Sequence, residues 1–316
     1  IVVDAKGDVL SYNTSAVRLL GAQDAAEHQH ASVLTFNRSH DFRNAVDSAL
    51  LGTASERVTR IGARSYNLIA NPVMGENGVR GAVIVLLDVT EKEESERMRR
   101  EFTANVSHEL KTPLTSISGY AEIMQNGLVR SEDIPRFAGN IYTETQRLIT
   151  LVEDIIKLSQ LDERAVELER TEMDLRAIAQ DVAERLRVPA KQNRISIRVS
   201  GESAKVLGVG RILDEMIFNL ADNAVKYNRT GGKVEITTGM QDGHAFVEVA
   251  DNGIGIPERD RERVFERFYR VDKSRSKQIG GTGLGLSIVK HGAAFHNAHV
   301  ALQSREGEGT TVRITF

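Results

Sequence analysis

Four short constellations in this 316-residue chain hold residue types that can do chemistry. The first centres on His108, within Phe102-Thr-Ala-Asn-Val-Ser-His-Glu-Leu-Lys-Thr-Pro-Leu114. Imidazole can act as nucleophile or proton carrier near neutral pH. Glu109 is expected to accept a hydrogen bond from one ring nitrogen, fixing the tautomer and leaving the other lone pair free to attack. Thr112, four residues on, shares the face of His108 on a helix. Pro113 removes one backbone hydrogen bond, so a local bend is expected there. His108 lies about 200° from the apolar Val106 on a helical wheel, so the ring faces water.

The second constellation is Glu215, Asn219, Asn223 and Lys226, spaced 4, 4 and 3, which places all four along one helical face. Asn is a poor helix residue, so two on one face suggest ligand contact. Their carbonyl oxygens are hard donors suited to Mg²⁺ shared with substrate phosphates, and Lys226 can neutralise phosphate charge. The third is Asp251-Asn-Gly-Ile-Gly-Ile-Pro257, directly after an expected strand. Asp251 can accept a hydrogen bond from an amine such as that of adenine, while Gly253 and Gly255 would let backbone approach a flat ligand. The fourth is Gly280-Gly-Thr-Gly-Leu-Gly-Leu-Ser287 leading into a helix, where free N–H groups cradle anions. It is neither a P-loop nor a dinucleotide fingerprint. Each pattern alone has a routine reading: a surface histidine, a solvated helix face, a hairpin turn, a glycine-rich loop.

The elements that must carry these groups fall into three segments. Residues 1–90 read as a small α/β module. Strands at 1–3 and 9–12 flank a turn at 5–8, helical pieces follow near 14–20 and 40–51, and strands at 65–70 and 81–87 flank a turn at 75–78. In Glu91–Phe102 nine of twelve residues are charged, with no Gly or Pro. The periodicity beyond it makes this a helix rather than a linker. Met98, Phe102, Val106, Leu110, Pro113, Ile117, Ala121 and Met124 form one apolar seam, and Phe137, Ile141, Leu148, Leu151, Ile155 and Leu158 a second. Two such helices joined near 126–128 make an antiparallel hairpin that a second copy would complete as a four-helix bundle. From about 172 a layered α+β domain is expected, with helices at 174–191, 211–227 and 284–296 and strands at 195–199, 233–238 and 245–250, closing on a hairpin. The fold class is multidomain α+β.

Composition narrows the function. Lys plus Arg is 41 against Asp plus Glu 44, a net charge of −3, which argues against a nucleic-acid partner. The absence of cysteine excludes disulfide scaffolds, thiolate metal sites, cysteine nucleophiles and cysteinyl photoadducts. His28, His30 and His40 have no spacing diagnostic of haem or metal and read as surface residues. The longest apolar run, Ala82–Leu87, is far shorter than the ~20 residues that span a bilayer. The chain opens without Met, so it is expected to be a fragment or processed product, in which an upstream membrane anchor would not be visible.

In combination and order, these motifs resemble those of the sensor histidine kinases of two-component systems, of the PhoR-like or WalK-like type. Residues 102–114 resemble the phosphoacceptor box, 215–227 the Asn box, 251–257 and 281–286 the two Gly boxes, and Val264–Arg270 the Phe-containing box. Gly307–Ile314 resembles the closing hairpin, 1–90 a PAS sensor domain, and Asp88-Val-Thr90 its junction to a signalling helix. The resemblance implies a PAS domain at 1–90 and a signalling helix with dimerisation and phosphotransfer hairpin at 91–165. It implies an α/β-sandwich ATP-binding domain of the gyrase/Hsp90/histidine-kinase type at 170–316.

It further implies that His108 takes the γ-phosphoryl group of ATP on Nε2, becoming a phosphohistidine, and passes it to an aspartate of a response regulator receiver domain. Glu109 would be base or orienting group, and Thr112 would position water for a phosphatase reaction. Glu215, Asn219 and Asn223 would hold Mg²⁺, Lys226 and Arg270 the phosphates, and Asp251 the adenine, with Tyr227 packing on the nucleotide. Gly253, Gly255, Gly281, Thr282, Gly283, Leu284, Gly285 and Leu286 would complete the ATP site beneath a lid at 271–280. The working unit would be a homodimer, and this chain the soluble, cytoplasmic portion of an inner- or plasma-membrane protein, with membrane contact only through an absent segment. Asn228, Ala221 and Gly208-Val-Gly210 depart from the usual pattern without touching an expected catalytic group. Gyrase, Hsp90 and MutL-type ATPases would share the Asn and Gly boxes but lack the His-Glu-x-x-Thr-Pro helix. A dead-kinase scaffold would not need Asn219, Asn223 and Asp251 intact.

Overall fold

The computed structural model describes residues 1–22, 31–76, 78–162, 168–272 and 281–316. They form two compact units, Ile1–Ala104 and Asn105–Phe316.

In the first unit, strands β1 (Val2–Asp4), β2 (Val9–Ser11), β3 (Ser55–Ile61), β4 (Arg64–Gly75) and β5 (Gly78–Asp88) pair antiparallel in the order β2-β1-β5-β4-β3. Helix α1 spans Thr14–Leu20 and α2 His40–Leu50. Helix α2 buries Phe42, Ala45, Val46 and Ala49, the i, i+3, i+4, i+7 stripe of an amphipathic helix, in one core with Leu68, Ala70, Ala82 and Ile84 of the sheet. Ser39 Oγ starts it by accepting the Phe42 N–H at 3.3 Å. Strand β3 is not expected from the sequence. Its residues Ser55-Glu-Arg-Val-Thr-Arg-Ile61 carry three charges because it is an edge strand, where charge blocks further pairing. His40 is exposed, 3.0 Å from Asn44 Nδ2, while His28 and His30 lie outside the described residues.

Helix α3 (Thr90–Gln125) follows β5 immediately, so the charged stretch is helical as its neighbours' periodicity implies. Asp88 Oδ1 accepts from the Thr90 hydroxyl at 2.6 Å and the Thr90 N–H at 3.0 Å, and Arg64 lies 3.1 Å from Oδ2. The bonds from Thr90 hold the Asp88 carboxyl below its usual pKa, with Arg64 adding to the effect.

In the second unit α3 runs through Pro113 and pairs with α4 (Ile134–Asp162). Tyr120 meets Phe137 edge-on at 5.6 Å, and Glu109 lies 3.9 Å from Arg147. Stepping back along α3 matches stepping forward along α4, the register of an antiparallel hairpin.

The remainder is a sheet covered by helices. Strands β7 (Ser196–Gly201), β9 (Lys233–Gln241), β10 (His244–Asp251), β11 (His299–Arg305) and β12 (Gly309–Thr315) lie in the order β11-β12-β10-β9-β7, with β7 and β9 parallel. Helices α5 (Leu175–Arg185), α7 (Gly210–Lys226) and α8 (Gly285–Phe295) supply the buried apolar partners. The single helix expected at 174–191 is two, with α6 at Arg187–Gln192. Pro189 has no N–H for the Arg185 carbonyl, so the break falls at Leu186. Strands β6 (Thr171–Asp174) and β8 (Lys205–Gly208) pair only with each other, and four residues each are too few for a periodic signal. Ala221 is fully buried, and Asn228 donates to the Ala224 and Lys233 carbonyls, so these departures from pattern serve packing and the end of α7.

His296 joins α8 to the start of α7. Its Nε2 accepts the Val209 N–H at 3.1 Å, and its Nδ1 lies 2.8 Å from the Gly292 carbonyl, which fixes the neutral Nδ1–H tautomer. Burial lowers its pKa from the usual 6.5. A depressed folded-state value contributes stability above the unfolded pKa that is lost as pH falls below it. The thermal midpoint is therefore expected to fall between about pH 7.5 and 5.5. His296→Gln should cost about 1–2 kcal/mol at the higher pH and flatten that fall. Equal pH responses in melts of both proteins would refute the assignment.

Candidate active site

Helix α7 has two faces. One buries Ile212, Leu213, Met216, Ile217, Leu220, Ala221, Ala224 and Val225. This packing turns Glu215, Asn219, Asn223 and Lys226 together onto the wall of a cavity of about 610 Å³. The spacing read from sequence therefore places all four as expected. Tyr227, Asp251, Gly255, Arg270, Gly281, Thr282, Gly283, Gly285 and Leu286 line the same cavity.

Two expected contact residues play other parts. Gly253 does not line the cavity. A Cβ there would stand 2.5 Å from the Tyr227 carbonyl oxygen, so the glycine allows the β10 turn to pass the end of α7, not to approach a ligand. Leu284 is fully buried and precedes α8 as a core residue. The lid expected at 271–280 lies outside the described residues except for Val271 and Asp272, which line the cavity.

Asp251 sits at the end of β10 and accepts the Gly253 N–H on Oδ1 at 2.8 Å. Burial raises its pKa to about 6, against the opposing pull of the Gly253 and Thr310 backbone bonds. It is thus an ionised acceptor at neutral pH. Across the cavity, Gly283 has φ +74°, a left-handed backbone that brings the segment against Phe268 and aims it into α8. The N-terminal N–H groups of α8 thereby adjoin the cavity, an arrangement that favours anions. Thr282 is held by its hydroxyl, which donates to Asp154 Oδ2 at 2.6 Å. Burial raises the pKa of Asp154, with the Thr282 bond opposing it.

The donor set suits a hard cation shared with phosphates. Asn219 Nδ2 donates to the Glu215 carbonyl at 2.8 Å and to Glu215 Oε1 at 3.1 Å. Its own Oδ1 stands 2.8 Å from where a Cβ of Gly285 would lie, so glycine keeps that oxygen uncovered. Among the described residues no cluster of three or more His, Cys, Asp or Glu forms a self-sufficient metal cage. One carboxylate with amide oxygens fits Mg²⁺ completed by a substrate's own oxygens. Lys226 is paired with Asp222 at 2.7 Å.

His108 is exposed on α3 as expected. The expected bond from its ring to the Glu109 carboxylate is not formed. Instead Glu109 Oε2 lies 3.4 Å from Arg270 Nη2 and 3.9 Å from Arg147 Nη2. Two guanidinium groups, only 9% and 15% exposed, take the carboxylate in place of the imidazole. Burial lowers the Arg270 pKa, Glu109 raises it, and Arg147 lowers it again. Thr112 Oγ1 donates to the His108 carbonyl at 3.2 Å.

Sequence reading missed the contribution of α4. Thr150, Asp154 and Lys157 line the cavity, and Lys157 Nζ donates to Glu215 Oε1 at 2.8 Å. The signal was the spacing of Arg147, Thr150, Asp154 and Lys157, a second helical face behind the apolar seam.

Comparison with known proteins accords with this geometry. Residues 98–164 match the His kinase A (phospho-acceptor) domain, and 208–316 the histidine kinase-, DNA gyrase B- and HSP90-like ATPases. The sensor histidine kinase WalK of Bacillus subtilis is 34% identical over the whole chain, which spans 53% of that relative's length. The sensor-like histidine kinase SenX3 of Mycolicibacterium smegmatis is 36% identical over the whole chain and 82% of its own length. The crystal structure of histidine kinase ThkA in complex with the response regulator protein TrrA superposes over the full chain and 94% of its own, with a TM-score of 0.57 and 24% identity. The chain belongs to the two-component sensor histidine kinases of the WalK/PhoR-like type, protein-histidine kinases with a phosphoacceptor hairpin and an ATP-binding domain.

Proposed function

We propose that this chain binds ATP in the α7–α8 cavity, transfers the γ-phosphoryl group to His108, and passes it to an aspartate of a response regulator receiver domain. The observation that carries the reading is Arg270. It lines the cavity and reaches Glu109, the neighbour of His108, so one side chain joins the nucleotide site to the phosphoacceptor.

In the reaction the His108 Nε2 lone pair attacks the γ-phosphorus. An N–P bond forms as the β,γ-bridging P–O bond breaks, and ADP leaves. Positioning and charge stabilisation supply most of the acceleration in such transfers. Asp251 accepts from the adenine amine, Tyr227 flanks the base, and the N–H groups before α8 face the phosphates. Lys226 leaves Asp222, and Arg270 leaves Glu109, to meet phosphate charge. Glu109 then orients the imidazole or takes its proton. Glu215, Asn219 and Asn223 would hold Mg²⁺, which neutralises charge developing on the phosphate oxygens when bound. In the reverse, phosphatase direction Thr112 exchanges its bond to the His108 carbonyl for a water.

We further propose three domains, at 1–90, 91–165 and 170–316, the first a PAS sensor domain. The β2-β1-β5-β4-β3 sheet order and the Asp88–Thr90 junction support that reading. Among the described residues no helix is long and apolar enough to cross a membrane. A homodimer is supported by apolar side chains left on the hairpin surface: Leu114, Ile123, Tyr142, Ile149, Val152 and Ile156 are all at least 38% exposed.

Three outcomes are expected. Incubation with γ-labelled ATP and Mg²⁺ labels the chain in a form stable to base and lost in acid, and His108→Ala abolishes it. ATP turnover without that label would sink the kinase reading. Light scattering at micromolar concentration gives twice the chain mass, whereas a monomer would count against the bundle. ADP affinity falls as pH drops through about 6, where Asp251 gains its proton. Asp251→Asn weakens ADP binding about 10- to 100-fold, and its residual pH curve isolates the titration of the nucleotide itself. Parallel curves for wild type and variant, measured calorimetrically, would remove Asp251 from the adenine site.

A further inference from the structure

Several charged groups around the cavity already have a partner. Lys226 faces Asp222 on its own helix at 2.7 Å. Asp154 accepts from Thr282 at 2.6 Å. Lys157 is different, because it comes from α4 and reaches across to α7, where its ammonium lies 2.8 Å from Glu215 Oε1. The same oxygen accepts from Asn219 Nδ2 at 3.1 Å. The charged oxygen of the metal-donor set thus already carries a cation, delivered by the segment that bears the phosphoacceptor.

We infer that Lys157 is a further residue of the nucleotide site, a tethered cation that occupies the metal position on Glu215 until a nucleotide brings Mg²⁺ to displace it. This rests on the reading that Glu215, Asn219 and Asn223 hold the metal. An ammonium and a divalent ion cannot share one carboxylate oxygen, since like charges at contact distance repel strongly in a partly dry cavity. Displacement is feasible because lysine has a flexible stem and a compact, readily hydrated head. The Lys157 side chain is 37% exposed and Glu215 21%, so the ammonium has a path to water while the carboxylate remains at the cavity wall. A pair of this exposure is worth little, which makes it a reversible competitor and not a lock. By linkage, whatever draws α4 toward α7 raises the metal requirement of the nucleotide site, and metal binding loosens α4 by the same factor.

The test is Mg²⁺ titration of ADP binding to the full chain, followed calorimetrically with MgCl₂ and ADP as probes. Lys157→Met lowers the Mg²⁺ midpoint about two- to five-fold. Lys157→Arg, which keeps the charge, retains the wild-type midpoint. In a Glu215→Gln background Lys157→Met has no effect. A midpoint unchanged or raised by Lys157→Met, or shifted equally in the Glu215→Gln background, overturns the inference while leaving the kinase reading intact. Failure of wild type to bind ADP with Mg²⁺ overturns the reading of the site, and this inference with it.

Discussion

Helix α7 can lie on its sheet in one rotation only. Eight of its side chains are buried, and they occupy a single stripe whose removal from water is the main favourable term available to a helix in this position. Turning the helix by one residue would bury Asn219 or Glu215 and expose Leu220 or Met216, losing on both counts. The functional face is fixed as the complement of the core face. The proposed metal donors need no loop to place them, and the cavity exists because β10, the Gly283 turn and α8 meet the far side of the same helix.

The charged groups proposed to meet phosphate or metal are ion-paired within the protein. Glu215 has Lys157, Asp222 has Lys226, and Glu109 has two arginines. An unpaired charge in such partly dry surroundings would be costly. Glu215, Lys226 and Arg270 must therefore each first give up a partner inside the protein. Nucleotide binding is then an exchange of ion pairs, and its net driving force is a small difference between comparable terms. Small changes elsewhere along α3 and α4 can tip a balance of that kind.

Much of this was legible in the sequence where one helix carried the whole signal. The 4, 4, 3 spacing of Glu215, Asn219, Asn223 and Lys226 placed them correctly because helical geometry alone decides which residues share a face. Asp251 and the Gly281–Gly285 segment were legible because strand ends and glycine-rich helix starts are local. The failures are contacts that no local pattern encodes. Glu109 was assigned to His108, its neighbour in sequence, and instead faces Arg147 and Arg270, 38 and 161 positions away. Gly253 looked like a ligand contact, but the close approach is to Tyr227. The polar stripe of α4, spaced 3, 4 and 3, is as helical as the 4, 4, 3 stripe of α7, yet its apolar seam explained the helix already, and nothing local revealed what the other face would meet.

The two arginines on Glu109 impose a sequence on the proposed reaction. Arg147 belongs to the same hairpin as Glu109, so their approach does not depend on where the ATP-binding domain lies. Arg270 belongs to that domain and lines its cavity, so its bond to Glu109 exists only when the domain lies against the hairpin. A triphosphate carries far more charge than one carboxylate and would draw Arg270 away. Glu109 would then keep Arg147 as its cation while losing the competitor that came from the nucleotide side. In the proposed reaction the carboxylate would then be free to turn toward His108 once the phosphoryl donor is in place. The off-ring geometry of Glu109 follows from its two guanidinium partners, and in the proposed reaction arming of the histidine would follow the departure of one of them.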